Sequence, residues 1–313
     1  LASDINVAIN NVAALQGTMV IKRTTAASGF DDVAQCDTIM NEGGVPQFDR
    51  YMALSSRDYN GMANNLSALS RSFGNPKSNN AYEKAYIGPV SGFETYKMDY
   101  AYRKAAAAGS AITISTLDAA VNYYTPKATS TASTGEVSNV DNRYQTVTVS
   151  STTNVAAGDA FTIAAVNNVH AITKQDTGSL KTFRVISVLT GTTMQISPPI
   201  TSNQVANDAS AQYQNCVVNT KSATSAIVFL NTVAGPVNVF WQKDALEILP
   251  GRYAVPTDAG AAVMRGATDQ GIELVMTKQY DINTMKTKYR VDTLFGVVNK
   301  QPEMSGIMLF SQT

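Results

Sequence analysis

Helical spacing of apolar positions is confined mainly to the first seventy residues. Ile5, Ala8, Ile9, Val12 and Gln16 or Leu15 fall on one side of a helix, with Asp4, Asn6, Asn10 and Asn11 largely on the other. The opening segment is therefore predicted to be an amphipathic helix of about four turns, ending near Gly17. Residues 18–22 (TMVIK) then read as a short extended piece. Ser28, with Asp31 three residues on, has the spacing of a capping box in which Asp replaces Glu. Val33, Cys36 and Met40 form the stripe of the helix it opens, and Gly43-Gly44 ends it. Asp31 and Asp32 lie in the first turn, where the helix dipole favours them. Residues 50–54 predict a strand, Ser56 opens a weaker helical stretch through Leu69, and Asn75-Pro76 breaks it. The aromatic alternation of residues 93–102 predicts another strand.

From Gly109 the chain turns Thr-, Ser-, Val- and Asn-rich and helical periodicity disappears. Strands are expected at 112–114, 144–149, 160–165, 182–189 and 193–196, separated by turns at Gly158-Asp159, Gly178 and Gly191. Short strands at this spacing imply a small antiparallel barrel or sandwich. After Tyr213 mixed character resumes, with strands expected at 226–233, 237–241, 245–249, 271–278 and 286–298. The predicted class is thus α+β, with an antiparallel β-barrel domain at 109–215 inserted between the two parts of a core at 1–108 and 216–313.

A length of 313 residues exceeds what one core usually holds, so two domains are expected. Charged residues are only 15 %, against about a quarter in an average globular chain, which suits β-rich domains and surfaces that become covered. Lys plus Arg and Asp plus Glu balance at 24 each, so net charge demands neither nucleic acid nor an anionic membrane. Any electrostatic partner is local. No apolar run approaches the roughly 18 to 20 residues of a bilayer span, and no membrane partner or export signal is expected. The sequon Asn65-Leu66-Ser67 therefore has no evident use. Residue 1 is Leu and already reads as helix interior, so a segment upstream is expected to be missing.

No catalytic constellation emerges. His170 is the one histidine, which leaves no second member for a dyad or a multi-histidine metal site, and a loop or barrel-wall role is expected. Cys36 and Cys216 have apolar neighbours and no adjacent base, so both read as packed, reduced thiols. The stretch from Gly260 to Gly266 superficially resembles a phosphate loop but lacks the Gly-Lys-Ser/Thr ending, and reads as a turn-rich connection. Asp31-Asp32 is absorbed by capping, and Asp141 and Asp159 by turns beside Asn142 and Gly158. Lys278, Lys286, Lys288 and Arg290 are the nearest thing to a basic patch. Alternation puts Lys286, Lys288 and Arg290 on one strand face with Tyr289 and Val291 on the other. That face is either simply solvated or a contact with a neighbouring subunit or DNA. Catalytic, cofactor and metal residues are all expected to be absent.

Val140-Asp141-Asn142-Arg143-Tyr144, then Thr146-Val147-Thr148-Val149 and Gly158-Asp159, resemble the inserted domain of the coat proteins of short-tailed, lambdoid bacteriophages of enteric bacteria. Asn238-Val239-Phe240-Trp241, Asp244-Ala245 and Ile248 match the same family in the same order. The resemblance implies the tailed-phage major capsid protein fold, with peripheral and axial domains and the inserted barrel. On it, the opening helix is the end of a spine helix, and the family's N-terminal arm and extended loop are missing upstream. The inserted domain of the family carries a loop that pairs charges across capsomers. The corresponding residues 129–141 keep Glu136 and Asp141 but are mostly Ser and Thr.

The resemblance implies a structural subunit of an icosahedral capsid, phage or prophage encoded, made in the bacterial cytoplasm and located in the virion. Its implied partners are further copies in capsomers, a scaffolding protein, a portal protein and packaged double-stranded DNA. Glu136, Asp141, Arg143, Lys286, Lys288 and Arg290 are the candidate inter-subunit contacts. The alternative is a carbohydrate-binding or adhesin β-domain, with Tyr144, Phe161 and Phe183 as its few aromatic platforms. A hydrolase comes third, since no histidine is placed to activate the abundant serines.

Overall fold

The structure, a computed structural model, describes residues 2–69, 76–115, 123–204, 211–220, 222–254, 262–268 and 271–313. It divides into two units, one of residues 1–245 with 299–313 and one of residues 246–298.

In the larger unit, the helices Ala2–Gln16, Phe30–Glu42 and Ser56–Leu69 form where the spacing predicts them. The cap of the second is shifted by one residue from the expected Ser28/Asp31 pair. Gly29 is the N-cap, and Asp32 is the carboxylate that reaches back, accepting from Ser28 N at 2.7 Å, Ser28 Oγ at 3.1 Å and Gly29 N at 3.1 Å. Asp32 wins because it is fully buried beside Arg23, whereas Asp31 points to solvent. Asn75 lies outside the described residues, but Pro76 opens a further helix, Pro76–Lys84, that the sequence reading missed. Proline's fixed φ suits a first helical turn, and the segment lacks an apolar stripe to announce it.

A five-stranded sheet backs these helices, in the order Met19–Lys22, Ser305–Leu309, Asn238–Gln242, Arg50–Ser55, Phe93–Met98. The two outer pairs are parallel, and Asn238–Gln242 runs antiparallel to both its neighbours. Val33, Cys36, Met40, Met52, Leu54, Met62, Phe93, Phe240 and Met308 close the core between sheet and helices. Asn238 ties the centre together: its Oδ1 accepts from Ser55 N at 2.7 Å and its Nδ2 donates to Asp58 Oδ2 at 2.8 Å. Ser55 and Asp58 also bond each other at the start of Ser56–Leu69, so this one asparagine positions a strand and a helix together.

The Thr/Ser-rich block forms a seven-stranded antiparallel sheet. Its path is Thr113–Ser115, Thr224–Phe229, Ala160–Val169, Asp176–Val188, Thr193–Ser197, Gln145–Thr148, with Cys216–Val218 also on Ala160–Val169. A bridge from Ile114 to Val149 brings its two ends together as a barrel. Alternate residues fill the inside: Ile114, Val147, Phe161, Ile163, Phe183, Val185 and Ile196 are buried. Residues 129–139, which the sequence suggested only as a polar loop, fold as an exposed hairpin of Thr129–Thr131 against Val137–Asn139.

The smaller unit is a three-stranded antiparallel sheet, Ala262–Ala267, Glu273–Asp281 and Lys286–Thr293, with a separate pair Leu246–Pro250 and Phe295–Asn299. The expected turn-rich connection at 260–266 is instead strand from Ala262 onward, in register with Glu273–Lys278; residues 260 and 261 lie outside the described residues. Its alternation was hidden because Gly266 and Ala267 contribute little apolar signal.

Candidate functional site

The motif Val140–Tyr144 is a structural staple. Asn142 bonds Lys127 N at 3.0 Å and Lys127 O at 2.8 Å and receives the Tyr124 hydroxyl at 2.7 Å, which closes the base of the exposed hairpin. Arg143 grips Asp141 with Nε at 2.9 Å and Nη2 at 2.6 Å, lies over the Tyr144 ring at 5.2 Å, and donates Nη1 to Asn299 O at 2.7 Å. These hydrogen bonds hold the Asp141 carboxyl below its ordinary range. Asp141 and Arg143 are thus already engaged with each other. Glu136 lies in the exposed turn of the hairpin, just before Val137–Asn139, where its carbonyl accepts from Ala132 N.

Lys286, Lys288 and Arg290 lie in one strand, as alternation requires, opposite Asp281, Gln279 and Thr277. Lys288 pairs with Asp281 at 2.6 Å and Arg290 with Asp292 at 2.7 Å. The opposite face is uncovered within its unit: Tyr289 is 61 % and Val291 63 % exposed, and Lys278 sits 5.5 Å over the Tyr289 ring. The tip carries Ile282 and Met285 at 83 % and 79 % exposure. Isolated exposed apolar residues are ordinary, but here they recur along one face of a thin sheet.

Sequence reasoning missed the polar groups buried where the opening helix meets the barrel. Asp159, expected as a turn residue, is also a buried anion: it pairs with Lys104 at 3.0 Å and accepts from Asn231 at 3.0 Å and Ala156 N at 2.8 Å. Arg184 is buried beside it and donates Nη2 to the carbonyl of Ala14 in the last turn of the helix. Its Nε and Nη1 find no hydrogen-bond partner, and burial lowers its pKa to about 10, against the pull of Asp159. Two buried cations therefore lie near one carboxylate, which is ion-paired with Lys104. No local signal could have revealed this, because Lys104, Asp159 and Arg184 are far apart in sequence.

The other candidates are structural. His170 Nδ1 accepts from Ile172 N and Thr173 N, both at 3.3 Å, in the turn before Asp176–Val188. Burial raises the thiol pKa of Cys36 well above its usual value and pushes that of Cys216 up to about 12, so neither is nucleophilic. Phe161 and Phe183 stack inside the barrel at 5.7 Å and offer no sugar platform. Among the described residues no cluster of His, Cys, Asp or Glu could hold a metal, and no helix is long and apolar enough to cross a membrane.

Residues 1–311 match the family described as P22 coat protein, gene protein 5. Among solved structures, the CUS-3 coat protein I-domain is 38 % identical over a match covering 40 % of this chain and 98 % of that one, with a TM-score of 0.28.

Proposed function

The chain belongs to the P22 coat protein family and is a structural subunit of a phage capsid, built from many such subunits, and we propose that it tiles an icosahedral shell through weak, repeated, non-covalent contacts and catalyses nothing. The observation that carries this reading is the bare apolar face and tip of the sheet at 262–293, which no described residue of its own unit covers. A contact too weak to hold two molecules closes a shell when symmetry repeats it.

In this reading the barrel is an inserted domain, with 1–108 and 216–313 as the two parts of the coat core and 109–215 as the insertion. The barrel strands Cys216–Val218 and Thr224–Phe229, both paired with Ala160–Val169, then come from the returning chain. Glu136, Asp141, Arg143, Lys286, Lys288 and Arg290 are the proposed inter-subunit contacts. Glu136 suits that role best, since Arg143, Lys288 and Arg290 already have ion-pair partners within the chain. Exposed pairs of this kind contribute only about 0.2 to 1 kcal/mol each, so they act by repetition. The partners are a scaffolding protein, a portal protein and packaged double-stranded DNA, and synthesis is in the bacterial cytoplasm.

The test is co-expression of the coat gene with its scaffolding protein, followed by electron microscopy, for the parent and for Tyr289→Ser/Val291→Ser. Closed shells from the parent, and a shift of the variant to unassembled subunits that keep the parental circular dichroism, are expected. Unassembled parent, or a variant that assembles equally well, overturns the reading.

A further inference from the structure

The five-stranded sheet ends at Met19–Lys22, which pairs with Ser305–Leu309 and, among the described residues, with no other strand. Such an edge offers backbone donors and acceptors to whatever lies beside it. Beside it is a cleft of about 940 Å³ whose lining includes Met19, Val20 and Ile21. Gln35, Thr38, Ile39 and Glu42, one face of the helix Phe30–Glu42, form a wall, and residues 179–182 of the barrel contribute another. Two contacts tie these walls: Ala171 N donates to Gly43 O at 3.3 Å, and Lys181 reaches Glu303 at 2.8 Å.

Size and charge define an occupant. A strand residue advances about 3.3 Å, takes about 4.8 Å across and stands about 10 Å deep, or about 160 Å³, so the cleft holds about six residues of extended chain. Five cations line it, Lys127, Arg143, Lys174, Lys181 and Lys300, against the carboxylates Glu42 and Glu303. Asp141 balances Arg143 and Glu303 pairs with Lys181, while Lys174 Nζ donates to a neutral acceptor, Gln214 O, at 3.0 Å. Leu180, 46 % exposed, and the half-buried Ile21 and Ile39 give apolar footing between the charges.

We propose that this cleft binds an extended acidic peptide segment, about six residues long, as an added strand on Met19–Lys22, with carboxylates meeting the lysines and alternate apolar side chains meeting Leu180, Ile21 and Ile39. Backbone pairing supplies affinity and the cations select sign. The occupant is a segment of a partner protein, and of the contacts proposed above for the shell only Arg143 lines this site.

The probe is a fluorescein-labelled, end-blocked Glu-Val-Glu-Val-Glu-Val peptide, titrated with the intact chain by fluorescence anisotropy. Saturable binding is expected, weakened at least about tenfold by Lys127→Glu/Lys174→Glu and by N-methylation of alternate peptide amides, with no binding of the Lys-Val counterpart. Both lysines lie at or near the surface, so the variant is expected to keep its fold, which circular dichroism checks. Hydrogen exchange of the parent is expected to slow at Met19–Lys22 on saturation. Absence of saturable binding, indifference to charge sign or to N-methylation, or protection confined to other strands overturns the proposal.

Discussion

Gly306 lies in the second strand of the five-stranded sheet, opposite Met19 on one side and Phe240 on the other. A Cβ there would meet Met19 O and Phe240 Cζ inside van der Waals contact, and Met19 Cβ at 2.7 Å. A phenyl ring can tilt, but a strand carbonyl moves only with its strand. Overpacking of a tight core costs about 1 to 3 kcal/mol when side chains alone adjust. If Met19–Lys22 lifts away instead, Met19 and Val20, now nearly buried, return to water at about 1.5 to 3 kcal/mol each. Gly306→Ala is therefore expected to destabilise the sheet by about 2 to 5 kcal/mol. Gly296→Ala is the control, since that strand glycine has only Leu249 Cβ near it, at 4.0 Å. There the gain in chain stiffness leaves stability unchanged or raised by up to about 1 kcal/mol. The sole tryptophan, Trp241, pairs with Ser305 next door, so its fluorescence during urea unfolding reports this sheet. A Gly306→Ala midpoint equal to that of Gly296→Ala would refute the close approach of Met19–Lys22 to its neighbour.

Arg184→Met and Asp159→Asn should move urea stability in opposite directions. The first removes a buried cation with two unpaired donors and leaves Lys104 matched to Asp159, so stability holds or rises, whereas the second strands two buried cations and costs about 3 to 5 kcal/mol; a loss of that size in the methionine variant would sink the reasoning. For the thiols the sign is fixed by burial: unfolded Cys216 ionises from pH 9.0, while the folded thiol holds its proton up to about 12. Its stabilisation is therefore complete below pH 9.0 and lost as pH rises toward the folded value, at about 1.4 kcal/mol per unit. Cys216→Val should flatten the alkaline stability profile by that slope, and native protein should resist thiol reagents at pH 8. Asp141 is held below its ordinary pKa by Arg143, so the pair favours the fold above the usual carboxylate range and less as pH falls through the folded value. In Arg143→Gln, the Asp141 carboxyl followed by NMR should titrate closer to an unperturbed aspartate.

Elements whose local pattern and tertiary fate agree were legible. The spacing of Val33, Cys36 and Met40 marked a helix because the same stripe that favours it also fills the core. Barrel strands such as Thr193–Ser197, which follows the turn at Gly191, declared themselves by turn residues beside them. Pro76–Lys84 escaped because, among its described side chains, only Ala81 is buried, so no stripe shows in the sequence. The strand Ala262–Ala267 escaped because it is exposed along most of its length, and alternation needs one covered face. Of the site, the motif residues Asp141 and Arg143 were visible as sequence neighbours, but the grip of Arg143 on Asn299 O spans the chain.

By itself, then, the sequence determined the α+β class, the polar β-rich block, the absence of any spacing suited to catalysis, and the two motifs that resemble the coat family. These properties rest on interactions between residues a few positions apart, or on composition. The tertiary structure alone decided that Arg184 is buried near the Lys104–Asp159 pair against the end of the opening helix, that one face of the 262–293 sheet lies bare among the described residues of its unit, and that Met19–Lys22 borders a cationic cleft. Burial, charge pairing and strand edges join residues distant in the chain, and their energies depend on neighbours that only folding supplies.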